Sequence, residues 1–275
     1  MKKLYPLLSV LFLIVSCSTE LDTLQKRGDT YYEINSEEPF SGLIINKYES
    51  GQKHTKGYLT NGREDGYWTW WYEGSPKNHI RLYLDNILDN LPYLFYDSWE
   101  NYGQKRKVVD YLDGTKDGLS TEWYENGQKK EEGTYKDGKE DGLWTGWYDN
   151  GQKEIEGTFK DGKPDGLFTW WLDDGQKQSE GTYKNGKEEG LWTSWFDGGQ
   201  KMDETTYENG KEIKRIDWYE NGQKRRERRN KNWITDGLQV WWWENGQKSW
   251  EGIYKEGVLI SEKNWNEDGK VLEEL

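Results

Sequence analysis

The sequence is poor in the residues on which most site chemistry depends. Its 275 residues include one cysteine, two histidines, two methionines and five prolines. A single cysteine excludes a disulfide framework. With two histidines it also excludes Cys/His zinc clusters and the usual Cys-His nucleophile pair. Hydrophobic residues make up only 32% of the chain and mean hydropathy is -1.17, so a thick apolar core is excluded. Positive charge is short too: 38 Lys and Arg against 51 Asp and Glu leave a net charge of -13. That balance excludes nucleic acid as a partner, because phosphate binding needs a basic face. What the chain has instead is 18 Trp and 19 Tyr. Disordered chains avoid aromatics, and these recur in register.

The lone cysteine has its own context. Residues 1–17 read MKKLYPLLSVLFLIVSC: two lysines, an apolar run too short to span a membrane, then Ile14-Val15-Ser16-Cys17. A small residue before a cysteine resembles the lipobox of bacterial lipoproteins. The resemblance implies a signal peptide over 1–16, cleavage before Cys17, lipidation of its thiol and a mature protein anchored to a membrane without spanning it. Ser18 after the cysteine, in place of Asp, implies the outer membrane of a cell envelope.

The tripeptide Gly-Gln-Lys occurs eight times, at Gly51, Gly103, Gly127, Gly151, Gly175, Gly199, Gly222 and Gly246, with spacings of 52, 24, 24, 24, 24, 23 and 24. The interval of 52 hides one more unit, Trp71-Tyr72-Glu73-Gly74-Ser75-Pro76-Lys77, and an insertion of four residues after Asn86. A worn copy ends the series at Trp265–Lys270, giving about ten units over residues 40–275. A period of this length is the mark of a repeat architecture. The expected organisation is signal 1–16, tether 17–30 and array 31–275, with a degenerate unit at about 77–102.

Within a unit, three positions stand out. Four residues before the turn glycine is Trp in nine of ten units: Trp71, Trp99, Trp123, Trp147, Trp171, Trp195, Trp218, Trp242 and Trp265. Six before it is usually Thr, Ile or Val, and eight before it is often Leu, as at Leu119, Leu143, Leu167, Leu191 and Leu238. A spacing of two places Leu, Thr and Trp on one face of a strand. Asn-Gly between two such runs predicts a hairpin with a type I′ turn. With Asn150-Gly151 as that turn, Thr145 faces Glu156, Trp147 faces Glu154, and Trp144 covers Gly157 on the other side. A three-residue turn with a bulge would shift this register by one, and both remain open from sequence. The return strand, Glu156-Gly157-Thr158-Phe159, ends in a second turn, Asp161–Gly166. The fold class is therefore all-β: an elongated single-layer antiparallel meander of stacked hairpins.

The unit Gly-Thr-Tyr-x-x-Gly-Lys-x-x-Gly-Leu-Trp-x-x-Trp-Tyr-x-x-Gly-Gln-Lys resembles the MORN-repeat variant of bacterial proteins, some of which are labelled antitoxins of the YwqK type. The segment Tyr31-Tyr32-Glu33 with Pro39-Phe40-Ser41-Gly42-Leu43 resembles the usual start of such arrays. The resemblance implies a hairpin array used in scaffolding, protein contact or lipid contact. Its motif contains no catalytic residues, so none is implied here. Arg81 and Thr205 stand where other units have the return-strand glycine.

Candidate chemistry is weighed against turn and packing roles. Asp137/Asp141 and Asp161/Asp165 lie four apart. That spacing fits neither an EF-hand nor a calcium β-roll, and Asp and Gly are what tight turns require. No lone acid sits in an apolar run that would raise its pKa for glycoside hydrolysis. No enzyme activity, metal or cofactor is expected. The aromatics outside the fixed positions, Trp70, Trp170, Trp241 and Trp250, are candidate surface residues for a partner or an envelope glycan. Lys224, Arg225, Arg226, Arg228, Arg229 and Lys231 form the one dense basic stretch. It is a candidate patch for an anionic lipid or acidic partner, unless it pairs across strands with Glu204, Glu208 or Glu251. His54 and His79 are expected in solvent. The functional expectation is a non-catalytic, lipid-anchored scaffold or spacer, with a protein partner. A glycan-binding module and an antitoxin component are the alternatives.

Overall fold

The computed structural model describes residues 18–74, 103–231 and 234–274. The proposed signal peptide, Cys17, the degenerate unit, Trp99, His79 and Arg81 lie outside the described residues. Those described form strands and turns, with a single 3-10 turn at Leu21–Thr23. One antiparallel sheet starts at Gly42–Lys47 and ends at Val271–Glu274, and strands adjacent in the chain pair with each other. The sheet is open and does not close into a barrel.

Two of the expected units supply one hairpin between them. The strand Arg63–Trp71 pairs directly with Lys105–Leu112, with Trp68 opposite Val109. The Tyr72 N–H donates to the Gln104 carbonyl at 3.0 Å, closing the same ring that Tyr48 and Gln52 close at 2.8 Å in the first unit. The sheet therefore continues without a gap across residues 75–102.

The two kinds of turn are assigned differently from the sequence expectation. At the Gly-Gln-Lys turns the Gly151 N–H donates to the Tyr148 carbonyl at 2.9 Å and the Tyr148 N–H to the Gln152 carbonyl at 2.9 Å. Gly151 alone has positive φ, 85°, and Asn150 does not. This is a three-residue loop, a type I turn followed by a glycine in the left-handed region, and not the two-residue I′ turn. Asn150 is held by its own side chain: Oδ1 accepts the Gln152 N–H at 2.9 Å and Nδ2 donates to the Asp173 carbonyl at 2.7 Å. The I′ turns are at the other end of each hairpin. There both central residues have positive φ, as at Asp161 (51°) and Gly162 (78°), with Lys160 opposite Lys163.

The register follows from the turns. Thr145 faces Glu156 and Trp144 faces Gly157, as expected, but Trp147 faces Lys153 and not Glu154. The three-residue loop shifts the pairing by one, and a bulge at Gly146/Trp147 restores it.

The sheet has two different faces. On one, a ring lies over the glycine of the preceding hairpin's return strand. A Cβ on Gly133 would sit 2.1 Å from the Trp144 ring, on Gly157 2.3 Å from Phe168, and on Gly181 2.0 Å from Trp192. Trp144 thus covers Gly133 and not its expected partner Gly157. Its indole Nε1 donates to the Thr134 carbonyl at 3.1 Å, which draws the ring back across the boundary between hairpins. Tyr135, Trp144, Phe159, Phe168, Tyr183, Trp192 and Tyr207 form a continuous edge-to-face ladder. Successive centroids are 4.9–6.2 Å apart and ring planes meet at 70–85°.

Where the ladder has no cover of its own, the chain supplies one. Ile44, Leu59 and Trp68 form the buried cluster of the first hairpins, with Leu21, Leu24, Tyr31 and Phe40 packed on it. Thr19 bridges Ile44, and a hairpin of Leu24–Arg27 with Thr30–Glu33 lies there. Residues 18–30, expected as tether, thus hold a bridge, a 3-10 turn and a strand. Among the described residues only Ile44, Leu59 and Val109 are large side chains with essentially no exposure, in accord with a chain that lacks a thick core.

Candidate functional site

The Leu, Thr and Trp positions share the second face, as the spacing predicts. Here the lysine of each Gly-Gln-Lys has a fixed use. Lys129, Lys153, Lys177, Lys201, Lys224 and Lys248 place Nζ 5.2–5.8 Å from the ring of the next unit's Trp. Each also pairs with the Glu three residues on, such as Lys153 with Glu156 at 2.5 Å and Lys177 with Glu180 at 2.6 Å. Tyr148 Oη donates to the Trp171 carbonyl at 2.8 Å, and Tyr124 Oη does the same at Trp147. The Lys, Tyr, Asn and Gly of the repeated motif thus hold a turn or reach forward to the next unit.

Between the Trp–Lys row and the I′ turns lies an exposed apolar row. Leu119, Leu143, Leu167, Leu191 and Leu238 are 44–58% exposed. Their cross-strand partners are Thr134, Thr158, Thr182, Thr206 and Ile253. Nothing in the described part of the chain covers this row.

The candidate aromatics lie together on the ring face but in different settings. Trp70 is half-buried 6.2 Å from Trp68, within the N-terminal cluster. Trp170 leans on Trp192 at 5.7 Å. Trp241 and Trp250 are directly opposite each other, rings 5.1 Å apart, and Trp250 Nε1 donates to Glu262 at 2.9 Å. Trp241 is the most exposed of the four at 47%.

The basic stretch forms the strand Lys224–Lys231, so its residues alternate between faces. On the ring face, Arg226 donates to Asp217 at 2.8 Å, and Arg228 grips both oxygens of Glu212 at 2.9 and 3.0 Å. On the other, Lys224 pairs with Glu227 at 3.1 Å and Arg229 with Glu227 at 3.8 Å. Arg225 lies over Tyr219 and the strand ends at Lys231. The carboxylates that pair with the stretch are Asp217, Glu212 and Glu227, not the expected Glu204, Glu208 and Glu251. The like charges of Asp203 and Asp217, opposite each other and buried, are bridged by Arg215. Burial would raise the Asp217 carboxyl, but hydrogen bonds from Arg226 and Arg215 outweigh it and hold it below the usual range. Here charge replaces the ring ladder, which stops at Tyr207.

Other titratable groups are few. Burial, then the Glu122 carboxylate opposite, pushes Glu131 up. His54 is not solvated as expected: it is half-buried, its ring 4.6 Å from Tyr48, and burial lowers its pKa. Among the described residues, no three His, Cys, Asp or Glu gather as a metal site, and no helix is long and apolar enough to cross a membrane.

These features define a class, an open array of β-hairpins whose fixed residues hold neighbours together. Segments 116–137, 140–161 and 164–185 match the family model of the MORN repeat variant. Each match spans one hairpin between successive I′ turns, and over this stretch the chain carries MORN-variant repeats. No curated protein matches the chain.

Proposed function

We propose that this protein is a non-catalytic scaffold or spacer that docks a protein partner along the leucine row of the second face and is held at an envelope membrane by lipid on Cys17. The observation that carries the docking is the regular exposure of Leu119, Leu143, Leu167, Leu191 and Leu238. A soluble surface normally scatters such residues singly. Here Leu119, Leu143, Leu167 and Leu191 recur every second strand, about 10 Å apart at the usual strand spacing, and Leu238 resumes the row after Lys214. MORN repeats are associated with protein or membrane interaction, which supports the same reading. The anchor is supported by the lipobox-like Ser16-Cys17 alone.

Crosslinking in the native host tests the docking. The chain captures a defined protein, and Leu143→Lys/Leu167→Lys/Leu191→Lys loses it while keeping its sheet spectrum. Capture that ignores this variant, or capture of lipid alone, overturns the scaffold reading. Mass spectrometry of the mature N-terminus tests the anchor: acyl chains on Cys17 are expected, and an unmodified thiol contradicts it.

A further inference from the structure

The regularity of the second face makes its departures readable. Six units place Glu three residues after the lysine of Gly-Gln-Lys: Glu132, Glu156, Glu180, Glu204, Glu227 and Glu251. The first unit has Lys56 there. Two residues further on, Thr134, Thr158, Thr182 and Thr206 correspond to Tyr58. In the next strand, the leucine of the exposed row is replaced by Tyr67. The units at Gly127, Gly151 and Gly175 fill all three positions with Glu, Thr and Leu, so packing within the array does not require Lys, Tyr and Tyr there.

All three departures surround one place. An open depression of about 380 Å³ is lined by the side chains of Leu43, Lys56, Tyr58, Asp65, Tyr67 and Thr69. Gly57 and Gly66 also line it. A Cβ on Gly66 would meet nothing within 4 Å, so the space above it is free. Tyr58 is 50% exposed and Tyr67 67%, large aromatic area left uncovered by the described residues. Among the described residues no carboxylate pairs with the Lys56 ammonium, whereas the equivalent Glu of six other units holds a lysine. Asp65 accepts the Thr60 hydroxyl at 2.9 Å on one oxygen, leaving acceptor capacity. Asp110 stands directly opposite Tyr67.

We infer that this depression binds a pyranose unit of an oligosaccharide. A sugar ring offers a C–H face to an aromatic side chain and hydroxyls to groups around its rim. The depression has both complements: exposed Tyr58 and Tyr67 rings, an ammonium donor, the Asp65 carboxylate as acceptor and the Thr69 hydroxyl. Asp65 and Asp110 in a chain of net charge -13 repel a phosphate-bearing ligand. The site is too open for an apolar one, which needs an enclosed apolar pocket. The inference is independent of the leucine-row proposal and uses a different stretch of the same face.

Calorimetric titration of the protein with the neutral sugars cellotriose, chitotriose and maltotriose tests it. Saturable binding of at least one is expected. Lys56→Glu/Tyr58→Thr/Tyr67→Leu gives the first unit the residues of its neighbours, so the fold is retained and binding falls at least tenfold. The single variants Tyr58→Thr and Tyr67→Leu each weaken binding several-fold, which keeps the test valid if the triple variant misfolds. The Leu→Lys triple of the leucine row leaves sugar binding unchanged. No saturable binding to any of the three sugars overturns the inference, as does equal binding by the reverted variants.

Discussion

At the scale of the residue, glycine and ring are one device. Trp192 occupies the space that a Cβ at Gly181 would need, 2.0 Å from its ring atoms. Gly181→Ala must push the ring off the sheet, and overpacking of this kind costs about 1–3 kcal/mol. Chemical denaturation should show that loss. The paired acids provide a second residue-scale test with opposite signs. Asp217 is held below its usual range, so its contribution is present above about pH 4 and is lost as pH falls through the folded pKa. Asp217→Asn should therefore lower stability at neutral pH and flatten its decline in acid. Glu131 is pushed up, so its ionised form is the less favoured one, and stability falls as pH rises through its folded pKa. Glu131→Gln should raise stability at neutral pH and have little effect at pH 3. Urea midpoints measured across pH 3–8 distinguish the two.

At the scale of the element, the strands were legible in the sequence and the turns only in part. Alternation at Leu143, Thr145 and Trp147 states the shared face directly, because a strand's period is two. Asn-Gly, by contrast, suits two turn types. The loop at Asn150-Gly151 is held locally by Asn150 Oδ1 accepting the Gln152 N–H and, beyond its own hairpin, by Asn150 donating to the Asp173 carbonyl of the next unit. That partner is 23 residues away, and no local rule contains it. The same holds for Trp144, whose cover over Gly133 depends on the preceding hairpin. The candidate sugar site was missed for a different reason. Its signal is not a free tryptophan but tyrosines that differ from their own repeat, seen when Lys56, Tyr58 and Tyr67 are aligned with the later units. The turn assignment itself makes a prediction. Asp161→Val should cost more than Asn150→Val, because Asp161 has φ of 51° and Asn150 does not lie in that region. A β-branched residue resists it, while the Asn150 change removes only two hydrogen bonds, about 1 kcal/mol each. Thermal unfolding of the two variants gives the order.

At the scale of the whole molecule, contacts between units have a direction. Lysine, tyrosine and asparagine of one unit each reach the next, and the ends of the array fit this. Lys47 stands where later units have the receiving Trp, and no earlier Gly-Gln-Lys precedes it to reach there. Asn266 stands where five other units have the Tyr that donates forward (Tyr48, Tyr72, Tyr124, Tyr148 and Tyr219), and its Oδ1 caps its own turn through Asp268 and Lys270. Stability then comes from neighbours stacked in one open line, so length can change by whole units. Deleting residues 152–175 tests this most directly, because it removes one period of 24 and joins Gly151 to Gln176 in the same motif. Small-angle X-ray scattering of this variant should show the β-sheet protein shortened by about 10 Å, two strand spacings. An unfolded variant, or a folded one whose longest dimension is unchanged, would contradict the linear array.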